Sequence, residues 1–197
     1  MKLIFISGPS GSGKTTLSNN ILVKYKNGFV LNTDNYYKTG IISNFLSLLI
    51  DGYFDKRISF NSKLIRKDFS LIIKNRSANY KYFYSYKNKT KKKIFIKTKK
   101  INFLIIEGIF AEDLSCTTYK HDCFFIDLQK SKNYCMNKAV TRDVKERGKS
   151  KKIAEKDFLK SWDIYYKRRK NKKIKIDLKE FILTENSDID KILNDIF

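Results

Sequence analysis

The sequence predicts an α/β fold on a mainly parallel sheet, and three observations carry that expectation. Apolar runs of strand length occur at Leu3–Ile6, Phe29–Leu31, Ile101–Ile106 and Phe124–Ile126. Stretches with helical spacing lie between and after them, and a glycine-rich turn follows the first run directly. Strands that alternate with helical segments form parallel sheets, because each helix carries the chain back across the sheet.

Taken in order, Lys2–Ser7 is rich in Ile and Phe with little alternation, the pattern of a buried strand. Beyond the glycine-rich turn, Leu17, Ile21, Leu22 and Tyr25 recur at helical spacing. Phe29-Val30-Leu31 forms a second short strand ending at polar Asn32-Thr33-Asp34-Asn35. Ile41–Ile50 and Ser62–Lys74 read as helices, and Tyr80–Tyr86 with Lys93–Lys97 as a hairpin spanning about 80–97. Ile101–Ile106 is the strongest strand and runs into Glu107-Gly108, and Phe124–Ile126 is the next. Lys130–Arg147 and Ile153–Lys170 read as helices separated by Gly148, and Asp188–Ile196 as a last helix against the sheet. With no internal repeat or Gly/Pro/Ser linker, one domain over residues 1–197 is expected.

A chain of 197 residues can bury roughly 70% of the surface its unfolded form exposes, so it needs no disulfide or metal staple. Its 42% hydrophobic content and single proline exclude collagen-like and broadly disordered classes. No apolar run reaches the ~20 residues of a membrane helix, so no membrane partner is expected. Gly8 and Pro9 interrupt the first run before a signal-peptide core forms. Cys116, Cys123 and Cys135 show no paired ligand spacing, and His121, the sole histidine, reads as a loop residue. That pattern excludes a zinc site or disulfide framework and points to a reducing, cytoplasmic location.

The formal charge is +22, from 42 basic and 20 acidic residues. Such an excess attracts polyanions, but only seven of the basic residues are Arg, the residue suited to bidentate contacts with bases and phosphates. A nucleic-acid partner therefore stays open without being favoured, and a genome rich in A and T explains the lysines as well. Basic clusters fall at Lys87–Lys100 and Lys167–Lys175. The first reads as a charged strand edge, where lysine also blocks stray strand pairing.

The decisive segment is Gly8-Pro9-Ser10-Gly11-Ser12-Gly13-Lys14-Thr15, which fits G-x-x-x-x-G-K-[ST] between a strand and a helix. Its glycines allow successive backbone N–H groups to turn inward on an anion. The helix that follows adds its positive end. Lys14 is placed to reach the β- and γ-phosphates, and the Thr15 hydroxyl to meet Mg²⁺. The plain alternative is a glycine-rich turn with no ligand, which leaves the lysine and hydroxyl unexplained.

Neither an Asn-Lys-x-Asp motif for guanine nor a Leu-Ser-Gly-Gly signature is present, which argues against a GTPase or a transporter ATPase. A small-molecule kinase needs a carboxylate near the acceptor hydroxyl, an acid for the metal, and cations around the transferring group. Asp34, Glu107 and the set Arg142, Arg147 and Lys149 supply candidates in a suitable order. Each also has a structural reading: Asp34 as a turn cap, and Arg142–Glu146 and Asp143–Arg147 as i,i+4 helix pairs.

Four blocks resemble the uridine kinase (uridine–cytidine kinase) family, a relative of phosphoribulokinase. They are the glycine-rich block continued by Thr16-Leu17, then Thr33-Asp34-Asn35-Tyr36-Tyr37-Lys38, Ile106-Glu107-Gly108-Ile109-Phe110, and Arg142-Asp143-Val144-Lys145-Glu146-Arg147-Gly148. The resemblance covers residues 1–150 and weakens beyond. It implies a P-loop NTPase fold: a five-stranded parallel sheet flanked by helices, a β-hairpin over the acceptor site, and a helical lid at about 130–150. It further implies ATP or GTP as donor, Mg²⁺, and a small-molecule acceptor such as the 5′-hydroxyl of uridine or cytidine. The block from Gly8 to Thr16 would hold the nucleotide, with Lys14 also catalytic. Asp34 would act as general base, Thr15, Glu107 and Asp34 would serve the metal, and Arg142 and Arg147 would belong to the lid. Tyr37, Asp55, Tyr84, Lys89 and Lys149 would face the acceptor.

The sequence departs from the family where it would read the acceptor. Lys56-Arg57-Ile58 follows Phe54-Asp55 in place of His-Pro-Asp, Lys89 stands for a base-reading histidine and Lys91 for an arginine, and Ala139 and Lys149 fill arginine positions of the lid. Lysine cannot act as the neutral donor and acceptor that histidine presents, and it suits an anionic acceptor. Three alternatives therefore accompany the nucleoside reading: a phosphoribulokinase-like enzyme for an anionic sugar, a nucleic-acid-binding ATPase, and a non-catalytic family member. Oligomeric state is open.

Overall fold

Five parallel strands form the centre: β1 (Lys2–Ser7), β2 (Gly28–Asn32), β5 (Phe103–Glu107), β6 (Cys123–Leu128) and β7 (Lys179–Leu183). Their order is β2-β5-β1-β6-β7. The computed structural model describes residues 1–115, 121–170 and 179–197. Cys116 and part of the Lys167–Lys175 cluster lie outside these residues.

The two-residue period of a strand sorts its side chains onto opposite faces. Leu3, Phe5, Leu104, Ile106 and Phe125 join one core with Phe69 and Ile72 of α3 (Ser62–Asn75). Ile4, Ile6, Ile105 and Ile126 join the other with Leu17 and Ile21 of α1 (Lys14–Lys24) and with Leu193 and Ile196 of α7 (Ile189–Ile196). A strand covered by helices on both faces is apolar at consecutive positions, which is why β1 and β5 were legible as unbroken runs.

Between β2 and α3 lie the 3₁₀ turn Thr33–Tyr36, helix α2 (Ile41–Leu49) and two further short turns. The hairpin is β3 (Ser77–Ser85) with β4 (Thr90–Lys99), longer at both ends than the expected 80–97. Its root is fixed by Asp68 of α3, which accepts from Tyr80 at 2.6 Å and from Tyr36 at 3.0 Å. After a short α4 (Glu112–Ser115) and β6 come α5 (Lys132–Arg147) and α6 (Lys151–Lys170). Gly148 ends α5 in the left-handed conformation at φ 69°, donating to the Asp143 carbonyl. Among the described residues, no helix is long and apolar enough to cross a membrane.

Strand β7 is an element the sequence did not signal. It is an edge strand whose residues, Leu183 apart, stay largely open to solvent, so its apolar pattern is weak.

Candidate active site

Parallel strands deliver their carboxyl ends to one edge of the sheet. Ile6 and Asn32 both stand in register with Glu107, so the exits of β1, β2 and β5 are neighbours. The glycine-rich loop, the turn bearing Asp34 and the Glu107 carboxylate meet there, in the crevice where open α/β sheets bind ligands.

The loop needs glycine for close approach. Gly11 has φ 78°, and a Cβ there would stand 2.1 Å from the Cys135 carbonyl oxygen on α5. Gly13 precedes α1 in the left-handed conformation. Lys14 Nζ folds back onto the carbonyls of Gly8 and Pro9 at 2.9 and 2.8 Å. Burial draws this ammonium below the ordinary lysine range, while Glu107 and Asp34 push it back up. The Ser12 hydroxyl is buried in the loop with no hydrogen-bond partner. Thr16 is exposed on α1 and does not line the cavity described below.

Glu107 is buried, and its Oε1 accepts from Thr15 Oγ1 at 3.0 Å and from Asn32 Nδ2 at 2.5 Å. Burial, helped by the nearby Asp34 charge, raises its pKa to about 7 against the pull of Lys14. Asn32 also accepts from the Asp34 backbone N–H at 2.7 Å, so it is Asn32 that caps this turn and the Asp34 carboxylate is left free to point elsewhere. That carboxylate accepts from the Tyr86 hydroxyl at 3.0 Å and from Tyr37 at 3.5 Å.

Asp143 on α5 gathers three cations. Its Oδ1 meets Arg142 at 2.7 Å, and its Oδ2 meets Arg147 at 3.2 Å and Lys149 at 3.1 Å. Burial alone would raise the Asp143 pKa, but Arg147, Arg142 and Lys149 outweigh it and hold the group below the usual carboxylate range. Arg142 also reaches Ser10 of the loop at 3.2 Å, and the Arg147 guanidinium lies 3.8 Å from the Tyr86 ring centre. The Asp143–Arg147 helix pair foreseen in the sequence is present, while Arg142 turns to its neighbour Asp143.

These groups line one cavity of about 520 Å³. Of the residues singled out in the sequence, Ser10, Lys14, Thr15, Asp34, Tyr37, Asp55, Lys89, Glu107, Arg142, Arg147 and Lys149 all face it. Asp55 accepts from Ser161 of α6 at 2.7 Å, and Lys89 Nζ donates to Ser47 of α2 at 2.8 Å. Tyr84 does not face it. Its ring is buried against Tyr37, Phe54 and Tyr86, and Tyr86 is the hairpin tyrosine that lines the cavity. Lys91 turns away to the Tyr37 carbonyl. His121 stands in a bend before β6, away from these groups.

Sequence reasoning missed Asn32, Tyr86 and Ser161 and gave Asp143 only a structural part. A signal existed for Asn32, which ends β2 as Glu107 ends β5. Ser161 carried none, since only the packing of α6 brings it to Asp55.

The residues suit a phosphate-bearing nucleotide and a hard cation. The loop is a glycine cradle with a lysine held only by loop carbonyls and an unpartnered hydroxyl, and Thr15, Glu107 and Asp34 are the oxygen donors that Mg²⁺ prefers. Among the described residues there is no cluster of three or more His, Cys, Asp or Glu fit to hold a metal.

A strand–loop–helix phosphate cradle, with acids at the adjoining strand exits, defines a P-loop phosphotransferase. Residues 3–165 match the model of the phosphoribulokinase / uridine kinase family, and the chain belongs to that family of alcohol-acceptor kinases. It is similar to the uridine kinase of Bacillus pumilus, 30% identical over 151 residues that cover 75% of this chain and 70% of that one. The uridine kinase of Clostridium novyi is 28% identical over 151 residues, covering 75% and 71%. A solved D-glycerate 3-kinase from Cryptococcus neoformans shares the fold at a TM-score of 0.63 and 14% identity, covering 92% and 85%.

Proposed function

We propose that the protein transfers the γ-phosphoryl group of ATP to a hydroxyl of a small metabolite, with the 5′-hydroxyl of uridine or cytidine as the first choice. The carrying observation is that Lys14 and Asp34 open into the same cavity as Tyr37 and Asp55, so phosphate-binding and hydroxyl-binding groups share one space. In this reading the loop N–H groups and Lys14 hold the phosphates, and Asp34, oriented by Tyr86 and Asn32, takes the proton from the acceptor hydroxyl as the hydroxyl oxygen bonds to the γ-phosphorus and the bond from that phosphorus to the bridging oxygen breaks, releasing ADP. Asp55 binds acceptor hydroxyls. Thr15, Glu107 and Asp34 would hold Mg²⁺, which when bound neutralises charge on the phosphates. Arg142, Arg147 and Lys149 exchange Asp143 for the transferring group as α5 closes, acting as a lid.

One observation favours a second reading. Lys89 faces the cavity with a serine hydroxyl as its partner, a poor stand-in for a base-reading group and a good site for an anion. A phosphorylated sugar is the alternative acceptor. ADP release measured over a panel of nucleosides, sugars and sugar phosphates separates the two. Turnover with uridine or cytidine supports the first reading, turnover with sugar phosphates alone replaces it by the second, and Lys14→Ala abolishes both.

A further inference from the structure

Helix α2 turns its polar side inward. Ser43 is buried, donating to the Lys38 carbonyl at 2.9 Å and sharing a 3.0 Å hydrogen bond with the Tyr53 hydroxyl, and Ser47 faces Lys89. Its large apolar residues face solvent: Ile41, Ile42, Phe45, Leu48 and Leu49 are 58% to 89% exposed. Scattered exposed apolar residues are ordinary, but five together on one helix mark a surface that something covers. Residues 39–50 carry no charge, in a chain where 31% of residues do.

We propose that a second copy of this chain covers the face, by antiparallel pairing of α2 with its counterpart. Positions 41, 42, 45, 48 and 49 have the spacing that seats one helix on another. The stripe is also symmetric about its middle. With direction reversed, Ile41 meets the partner's Leu49, Ile42 meets the partner's Leu48, and Phe45 meets the partner's Phe45. A two-fold axis at Phe45 thus matches every member of the face, as an interface of like with like requires. The flanks agree. Exposed Lys38 precedes the helix at the end its dipole disfavours, and antiparallel pairing sets it near the partner's Asp51, which pairs with Lys160 of its own chain at 2.9 Å yet keeps most of its side chain open to a second cation. The five side chains offer on the order of 700 Å², close to the ~800 Å² per partner of a standard interface. A neutral face gives no purchase to a polyanion or an anionic lipid, in spite of the overall charge. Leu48 and Ser47 also line the cavity, so the pairing lies at the mouth of the site.

Sedimentation velocity on the full chain tests this over a range of concentrations. The expected species has twice the 23.3 kDa chain mass, and it tightens as salt screens the +22 charge of each copy. Phe45→Glu, which sets two carboxylates at the axis, is expected to raise the dissociation constant at least about a hundredfold with an unchanged circular dichroism spectrum. Phe45→Cys is expected to cross-link to itself under mild oxidation, whereas Val23→Cys, more exposed on α1, is not. A monomer at every concentration overturns the proposal, as does a dimer that neither Phe45 variant affects. Phe45-dependent sedimentation with phosphatidylserine vesicles by a chain that stays monomeric alone would assign the face to lipid and equally overturn it.

Discussion

The Tyr86 hydroxyl donates to Asp34 Oδ2 at 3.0 Å, tying the turn of the hairpin, just past β3, to the acid that follows β2. Residues 52 positions apart are joined because Asp68 anchors the hairpin root to the same turn through Tyr36 and Tyr80. The hairpin therefore orients the carboxylate as well as walling the cavity.

Tyr86→Phe removes the shorter of the two tyrosine hydrogen bonds to Asp34 and leaves Tyr37 at 3.5 Å. A hydrogen bond to a charged group contributes about 1.5–3 kcal/mol, so kcat is expected to fall roughly tenfold or more, with a smaller change in the acceptor KM. Steady-state kinetics checks this, and an unchanged kcat would remove Tyr86 from the positioning of Asp34.

Asp143→Ala leaves Arg142 and Arg147 without the carboxylate that holds them, and Lys149 with Asp157 alone at 2.8 Å. Because these cations are partly exposed, the expected loss of stability is moderate, about 1–3 kcal/mol by urea unfolding. Added Mg-ATP is expected to restore more stability to this variant than to the native chain, since phosphates supply the missing negative charge. Equal stabilisation of the two would show that these cations do not reach the nucleotide.

How much of this was legible depended on the reach of each signal. The glycine-rich loop, Asp34 and Glu107 were readable because each lies within three residues of the end of an apolar strand run. Ile41–Ile50 was read correctly as a helix, yet nothing in its periodicity told that Ser43 faces in and Phe45 out. Tyr84 and Tyr86 share a strand-like segment with the same parity, so only the packing of Tyr84 against Tyr37 and Phe54 decides which of them faces the cavity. Strand β7 escaped because an exposed edge needs little apolar pattern, and Asp143 because its helix pair with Arg147 already accounted for it.

Glu107 supplies a pH dependence. Its pKa rises from 4.5 to about 7 on folding, so between these values the folded chain holds a proton that the unfolded chain has released. Stability of the nucleotide-free, magnesium-free protein is then expected to fall as pH rises from about 4.5 to about 7, from this group alone. Glu107→Gln keeps an acceptor for Thr15 and Asn32 without the charge. Its Tm should exceed that of the native chain at pH 8 and lose that advantage near pH 4, as read by calorimetry. A constant difference across this range would show that Glu107 does not titrate there.

Asp34→Asn tests the central claim most directly, by measuring Mg-ATP binding and phosphorylated product on the same purified protein. The variant is expected to bind Mg-ATP within about tenfold of native, since the loop and Lys14 hold the phosphates and only one of three metal donors loses its charge, while product formation with the best acceptor falls at least about a thousandfold, within the span of a lost general base. Native turnover in this variant, or failure of the native chain to bind Mg-ATP at all, would contradict the account.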